Sequence, residues 1–130
     1  MSHHRETVTA AGAPKAAGPY SHAVKSNGVV YLSGQTPIDP NTGALVEGST
    51  GDQARRVLDN LSIVAAAAGG KLQDAVRIAI YVTDISTFKD VNEAYGTYFE
   101  GDPPARSTIG VAALPLGAEI EMDAIVALPN

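Results

Sequence analysis

Cysteine is absent from all 130 residues, which excludes disulfide staples, thiolate metal sites and cysteine nucleophiles at once. Positive charge is also scarce: nine scattered lysines and arginines face fourteen acidic residues, for a net charge of -5. Nucleic-acid binding needs clustered basic side chains against the phosphates, so no nucleic-acid partner is expected. Long hydrophobic runs are missing as well. The longest, Ile63 to Ala68, falls far short of the roughly 20 residues that span a bilayer, and the polar N-terminus does not read as a signal peptide. The expectation is a cytoplasmic protein with no membrane partner.

What is present describes one globular domain over residues 1–130, because 45% hydrophobic content can build one core while the chain is too short for two. His3 and His4 lie in a polar leader and receive no role. Thr7 to Thr9 reads as an edge strand, and Gly12 to Tyr20 as an ordered loop without periodicity. Tyr20, at the end of that loop, is either a packing lid or a ligand contact; His22 reads as a hydrogen-bonded scaffold residue. A strand starts at Ala23-Val24, Asn27-Gly28 signals a two-residue hairpin, and Val29 to Leu32 returns into Ser33-Gly34-Gln35. A glycine at a strand end admits a close backbone or a ligand, so Ser33 and Gly34 are either a site edge or a bulge.

The clearest element is a helix with Thr50 and Gln53 as a capping box and Ala54, Val57, Leu58, Leu61, Val64, Ala65 and Ala68 on one stripe, ended by Gly69-Gly70. Ala75 to Val82 is a strand with Val76, Ile78, Ile80 and Val82 on one face and Arg77, Ala79 and Tyr81 on the other. A second helix starts around Ser86, capped by Asp84 or Ser86, and presents Phe88, Val91, Tyr95, Tyr98 and Phe99. Asn92 shares that stripe. A buried unpaired amide costs about 1–3 kcal/mol, so Asn92 must tie a loop or meet a group from another subunit.

After Pro103-Pro104, Arg106 closes a loop, Ser107 to Val111 reads as a short strand, and a Leu114-Pro115-Leu116-Gly117 turn leads to a last strand from Ala118. There Ile120, Met122, Ala124 and Val126 face one way and Glu119, Glu121 and Asp123 the other. Carboxylates two residues apart sit roughly 6.5 Å from each other and repel unless wet or paired. If the last two strands form a hairpin, Arg106 reaches Glu121; otherwise the face is solvated, with an ion pair worth about 0–1 kcal/mol. The element order gives an α+β fold, a single mixed β-sheet of about six strands with two helices on one face. The uncovered face calls for an oligomer with sites between subunits.

The chain resembles the RidA family of small proteins over nearly its whole length. The resemblance rests on GPYSHAV at Gly18 to Val24, YLSGQTPIDPNTG at Tyr31 to Gly43, QARRVLDNL at Gln53 to Leu61, YVTDISTFKDVNEAYGTYF at Tyr81 to Phe99, PPARSTIGV from Pro103 and IEMDAIVA from Ile120. It implies a chorismate-mutase-like homotrimer with intersubunit sites and no cofactor or metal. The implied activity is hydrolysis of 2-imino acids such as 2-iminopropanoate and 2-iminobutanoate to the 2-keto acid and ammonia, protecting pyridoxal-phosphate enzymes from 2-aminoacrylate. Arg106 matches the arginine that holds the substrate carboxylate and Glu121 the glutamate that positions the hydrolytic water. Tyr20, Ser33 and Asn92 match residues that line or support the pocket, and Gly34 joins them as substrate-binding. Thr108, also assigned to substrate binding, stands where many deaminating members carry a cysteine. Three alternatives stand beside this reading: a binder or sensor of small carboxylates, a pathway-specific aminoacrylate or aminomuconate deaminase, and, least supported by the acidic chain, a ribonuclease or translation inhibitor.

Overall fold

Local sequence accounts for each element of the computed structural model, which describes residues 4–129; His3 lies outside them. Strand β1 (Glu6–Val8) starts one residue before the expected edge strand and pairs with β2 (Ala23–Ser26). Asn27 and Gly28, with φ of 52° and 80°, turn β2 into β3 (Val29–Gln35), the pair of left-handed residues a type I′ hairpin demands. Past Leu32 the register of β3 shifts before Gln35, so Ser33 and Gly34 sit in a bulge.

Helix α1 (Thr50–Ala67) buries every residue of the expected apolar stripe to 2% exposure or less. Its cap lies one residue upstream of Thr50. Ser49 Oγ accepts from the Asp52 amide at 3.1 Å and Asp52 Oδ2 accepts from the Ser49 amide at 3.2 Å, closing the box with Asp52 instead of Gln53. Gln53 Nε2 is thereby released to donate to Glu119 Oε2 at 3.3 Å. The Gly70 amide reaches back to the Ala65 carbonyl at 2.9 Å, and Gly69 adopts the left-handed φ of 87° that ends the helix.

Strand β4 (Ala75–Val82) and helix α2 (Phe88–Gly96) follow, the latter after a single turn over Ile85–Thr87 capped by Asp84, whose Oδ1 accepts from the Ser86 amide. Val76 departs from its expected face. The β4 register shifts between Ala75 and Arg77, which turns Val76 out to 49% exposure while Ile78, Ile80 and Val82 stay fully buried. The last strands are β5 (Ala105–Gly110), which already contains Arg106, and β6 (Ile120–Ala127).

All six strands form one mixed sheet in the order β1-β2-β3-β6-β4-β5. The expected hairpin of the last two strands is absent. β5 lies parallel to β4 at the sheet edge, whereas β6 crosses to the centre and pairs antiparallel with both β3 and β4. Burial explains this choice: Ile120, Met122, Ala124 and Val126 are at most 2% exposed, and a strand with so regular an apolar face belongs in the middle of a covered sheet. Both helices pack on that face, closing one core.

Candidate functional site: two half-sites on opposite sheet faces

Sheet register decides where the expected site residues point. Directly paired residues on neighbouring strands share a face. Arg106 pairs with Ile78 and Thr108 with Ile80, both fully buried beneath the helices, so Arg106 and Thr108 project to the helix side. Glu121 pairs with Tyr81 on β4, one step out of phase with Ile80, and projects to the uncovered side. The two residues also stand two strand spacings apart, roughly 9.6 Å, and three residues along the sheet, roughly 10 Å. Arg106 therefore does not reach Glu121 within one chain, contrary to the hairpin expectation.

The helix-side half-site is built by β5 and α2. The Arg106 guanidinium carbon lies 4.8 Å from the Tyr95 ring centroid and 5.4 Å from that of Phe88. Among the described residues it makes no ion pair and no hydrogen bond. Three buried polar atoms in the same region, Asn92 Oδ1, Tyr95 Oη and Thr108 Oγ1, likewise lack a partner. An unsatisfied buried polar group costs about 1–3 kcal/mol, so three together beside a free cation mark a place prepared for a polar ligand. Asn92 does not tie a loop through its carbonyl oxygen. Burial pushes the Tyr95 hydroxyl above the usual tyrosine range, with Arg106 pulling it partly back.

The second half-site opens on the other face as a cavity of about 430 Å³. Glu121, Gly34, Ser33, Tyr20, His22 and Leu116 are among its lining residues. Burial, helped by the charge of Asp123, raises the Glu121 carboxyl above the usual glutamate range. Gly34 makes room for it: a methyl group there would sit 3.0 Å from Glu121 Cδ and closer still to Oε2. Asp123 accepts from the Tyr81 hydroxyl at 3.0 Å, and that bond is the main reason the Tyr81 pKa is raised. Glu119 leaves the expected row of three carboxylates, since it precedes β6 and accepts from Gln53 on the helix side.

Two residues of this half-site act as framework. Ser33 Oγ donates to the Ser21 carbonyl at 2.6 Å and so ties β3 to the loop. His22, 6% exposed, accepts from the Ala10 amide on Nδ1 at 2.9 Å and donates from Nε2 to the Pro14 carbonyl at 2.8 Å, the scaffold role expected of it. Tyr20 is 49% exposed and accepts from the Ala17 amide at 3.1 Å, so it is a cavity wall and not a core residue. Leu116 was no sequence candidate. It occupies the third position of a type II turn at φ 60°, a conformation that favours glycine, and stays 68% exposed on the cavity rim.

Gly34→Ala tests the close approach directly. The added methyl forces the Glu121 side chain off its position, so any reaction that uses this carboxylate as an acid or base is expected to slow by about 10²-fold. Thermal unfolding should move little, because the displaced group is the end of a side chain at a cavity and not core. Full activity in Gly34→Ala would show that the Glu121 position is unimportant.

The profile of the family described as Endoribonuclease L-PSP matches residues 10–128. Protein DfrA of Myxococcus xanthus is 48% identical over 123 residues, 93% of this chain and 94% of that protein. The mouse 2-iminobutanoate/2-iminopropanoate deaminase is 41% identical over 121 residues, covering 93% and 90% of the two chains. The crystal structure of RidA from an Antarctic Psychrobacter superposes with a TM-score of 0.91 at 40% identity, covering 95% of this chain and 99% of that one.

Proposed function

The chain belongs to the Endoribonuclease L-PSP family, to which the RidA proteins belong, and on that premise we propose that it is a 2-imino acid deaminase whose active site forms between two subunits of a homotrimer. One observation carries the reading. A guanidinium with no ion pair among the described residues and a half-buried carboxylate of raised pKa lie on opposite faces of the same sheet, so only a second copy can bring an Arg106 to a Glu121. Three unpartnered polar atoms around Arg106 give a small polar substrate its remaining contacts.

The chemistry follows from these groups. Arg106 grips the substrate carboxylate through two parallel hydrogen bonds, which fixes the plane of the adjoining C=N bond. Glu121 orients a water and takes its proton as the oxygen adds to the imine carbon. Glu121 returns that proton to the nitrogen, giving a neutral carbinolamine; the hydroxyl proton then passes through Glu121 to the nitrogen as well, the C–N bond breaks, and ammonia leaves while the oxygen becomes the keto group. Imines already hydrolyse in water, so positioning and proton transfer, each of order 10²-fold or more, suffice. The net charge of -5 and the absence of a basic stripe speak against an RNA substrate.

Generating 2-iminobutanoate and 2-aminoacrylate in situ and following their decay tests this reading. Wild-type protein is expected to accelerate the decay, and no acceleration by a folded oligomer would overturn it. The acid side of the rate profile adds a signature. Glu121 must be ionised to accept the proton, and because its pKa is raised, kcat should begin to fall with decreasing pH above the range of an ordinary glutamate. A bound substrate carboxylate adds a like charge and moves the fall further the same way. A rate that does not fall on acidification through the carboxylate range would contradict Glu121 as the base.

A further inference from the structure

The geometry points to Phe88 and Tyr95 as positioning residues that hold the Arg106 guanidinium in place through their ring faces. This inference rests on the deaminase reading for its kinetic consequences, but not for its structural test. A guanidinium on a flexible side chain is ordinarily aimed by carboxylates or carbonyl oxygens. Arg106 has none among the described residues, and its guanidinium carbon instead lies over two rings at 4.8 and 5.4 Å. Both distances fall within the roughly 6 Å in which a cation is attracted to an aromatic face. Restraint by rings leaves the N–H donors free for a ligand, whereas restraint by a carboxylate would consume them and neutralise the charge.

The two rings come from one helix by different routes. Tyr95 is 6% exposed and packs on Phe99 with the rings tilted by 40° and their centroids 4.7 Å apart, so its position is set by the core. Phe88 opens α2 and is 43% exposed, which core packing does not require. Contact with the Arg106 cation explains why a large apolar ring stands there.

Nitrogen-15 NMR reads the contact without any ligand. The Arg106 Nε–Hε signal, assigned through Arg106→Lys, should be shifted by ring currents in the wild type. It should move toward the free-arginine position in Phe88→Leu and stay in place in Phe88→Tyr. In the imine assay Phe88→Leu is expected to raise KM about 3- to 30-fold with a much smaller change in kcat. Phe88→Tyr should restore KM, and Tyr95→Phe, which keeps the ring, should keep the NMR shift. An Arg106 signal and KM in Phe88→Leu equal to those of the wild type would overturn the inference. A wild type without deaminase activity would overturn the deaminase reading and leave the ring-current shift to decide the positioning role by itself.

Discussion

Arg106→Ala is expected to lower kcat/KM for 2-imino acids by about 10²- to 10⁴-fold, because two charge-assisted hydrogen bonds to the substrate carboxylate are lost at about 1.5–3 kcal/mol each. Arg106 has no ion pair or hydrogen bond among the described residues, so its removal should leave folding nearly intact. Arg106→Lys keeps the charge and loses the planar fork, and is expected to recover only part of the activity. Calorimetry with a 2-keto acid, the stable product, should show the same order of affinities. Undiminished binding by Arg106→Ala would place the carboxylate elsewhere.

Glu121→Gln separates turnover from binding. The amide preserves shape but cannot take a proton, so kcat should fall by about 10²- to 10⁴-fold while 2-keto acid affinity stays close to that of the wild type. It also removes the cost of burying a charge, so the variant should be at least as stable at neutral pH. A protein that only binds or senses small carboxylates has no such rate to lose. Decay rates that equal the uncatalysed rate with both wild type and Glu121→Gln would favour that alternative.

Much of the fold is readable in the residues. The α1 stripe from Ala54 to Ala68 repeats at helical spacing and Asn27-Gly28 fits almost nothing but a tight hairpin, so local rules suffice for both. The strand pairing of the C-terminus is not local. Consecutive strands usually pair, which makes a β5–β6 hairpin the natural expectation, yet β6 carries the cleaner apolar face and takes the sheet centre. β5 offers no such alternation, so nothing in Ala105–Gly110 tells which face Arg106 takes. Residue types thus mark Arg106, Glu121, Gly34 and Asn92 as site candidates, while the split between two faces needs the register. Phe88 and Tyr95 read as core for the same reason: their contact with Arg106 joins α2 to a strand whose direction the sequence leaves open.

The two faces can be tested together by mixing chains. Arg106→Ala and Glu121→Gln chains, each inactive alone, are unfolded and refolded together in equal amounts so that subunits exchange. If each site takes Arg106 from one subunit and Glu121 from its neighbour, random assembly gives about one quarter of the sites both wild-type groups. The predicted result is recovery of about a quarter of wild-type activity in the mixture and none in either variant refolded separately. No recovery in a mixture whose subunits demonstrably exchange would contradict a site shared between chains.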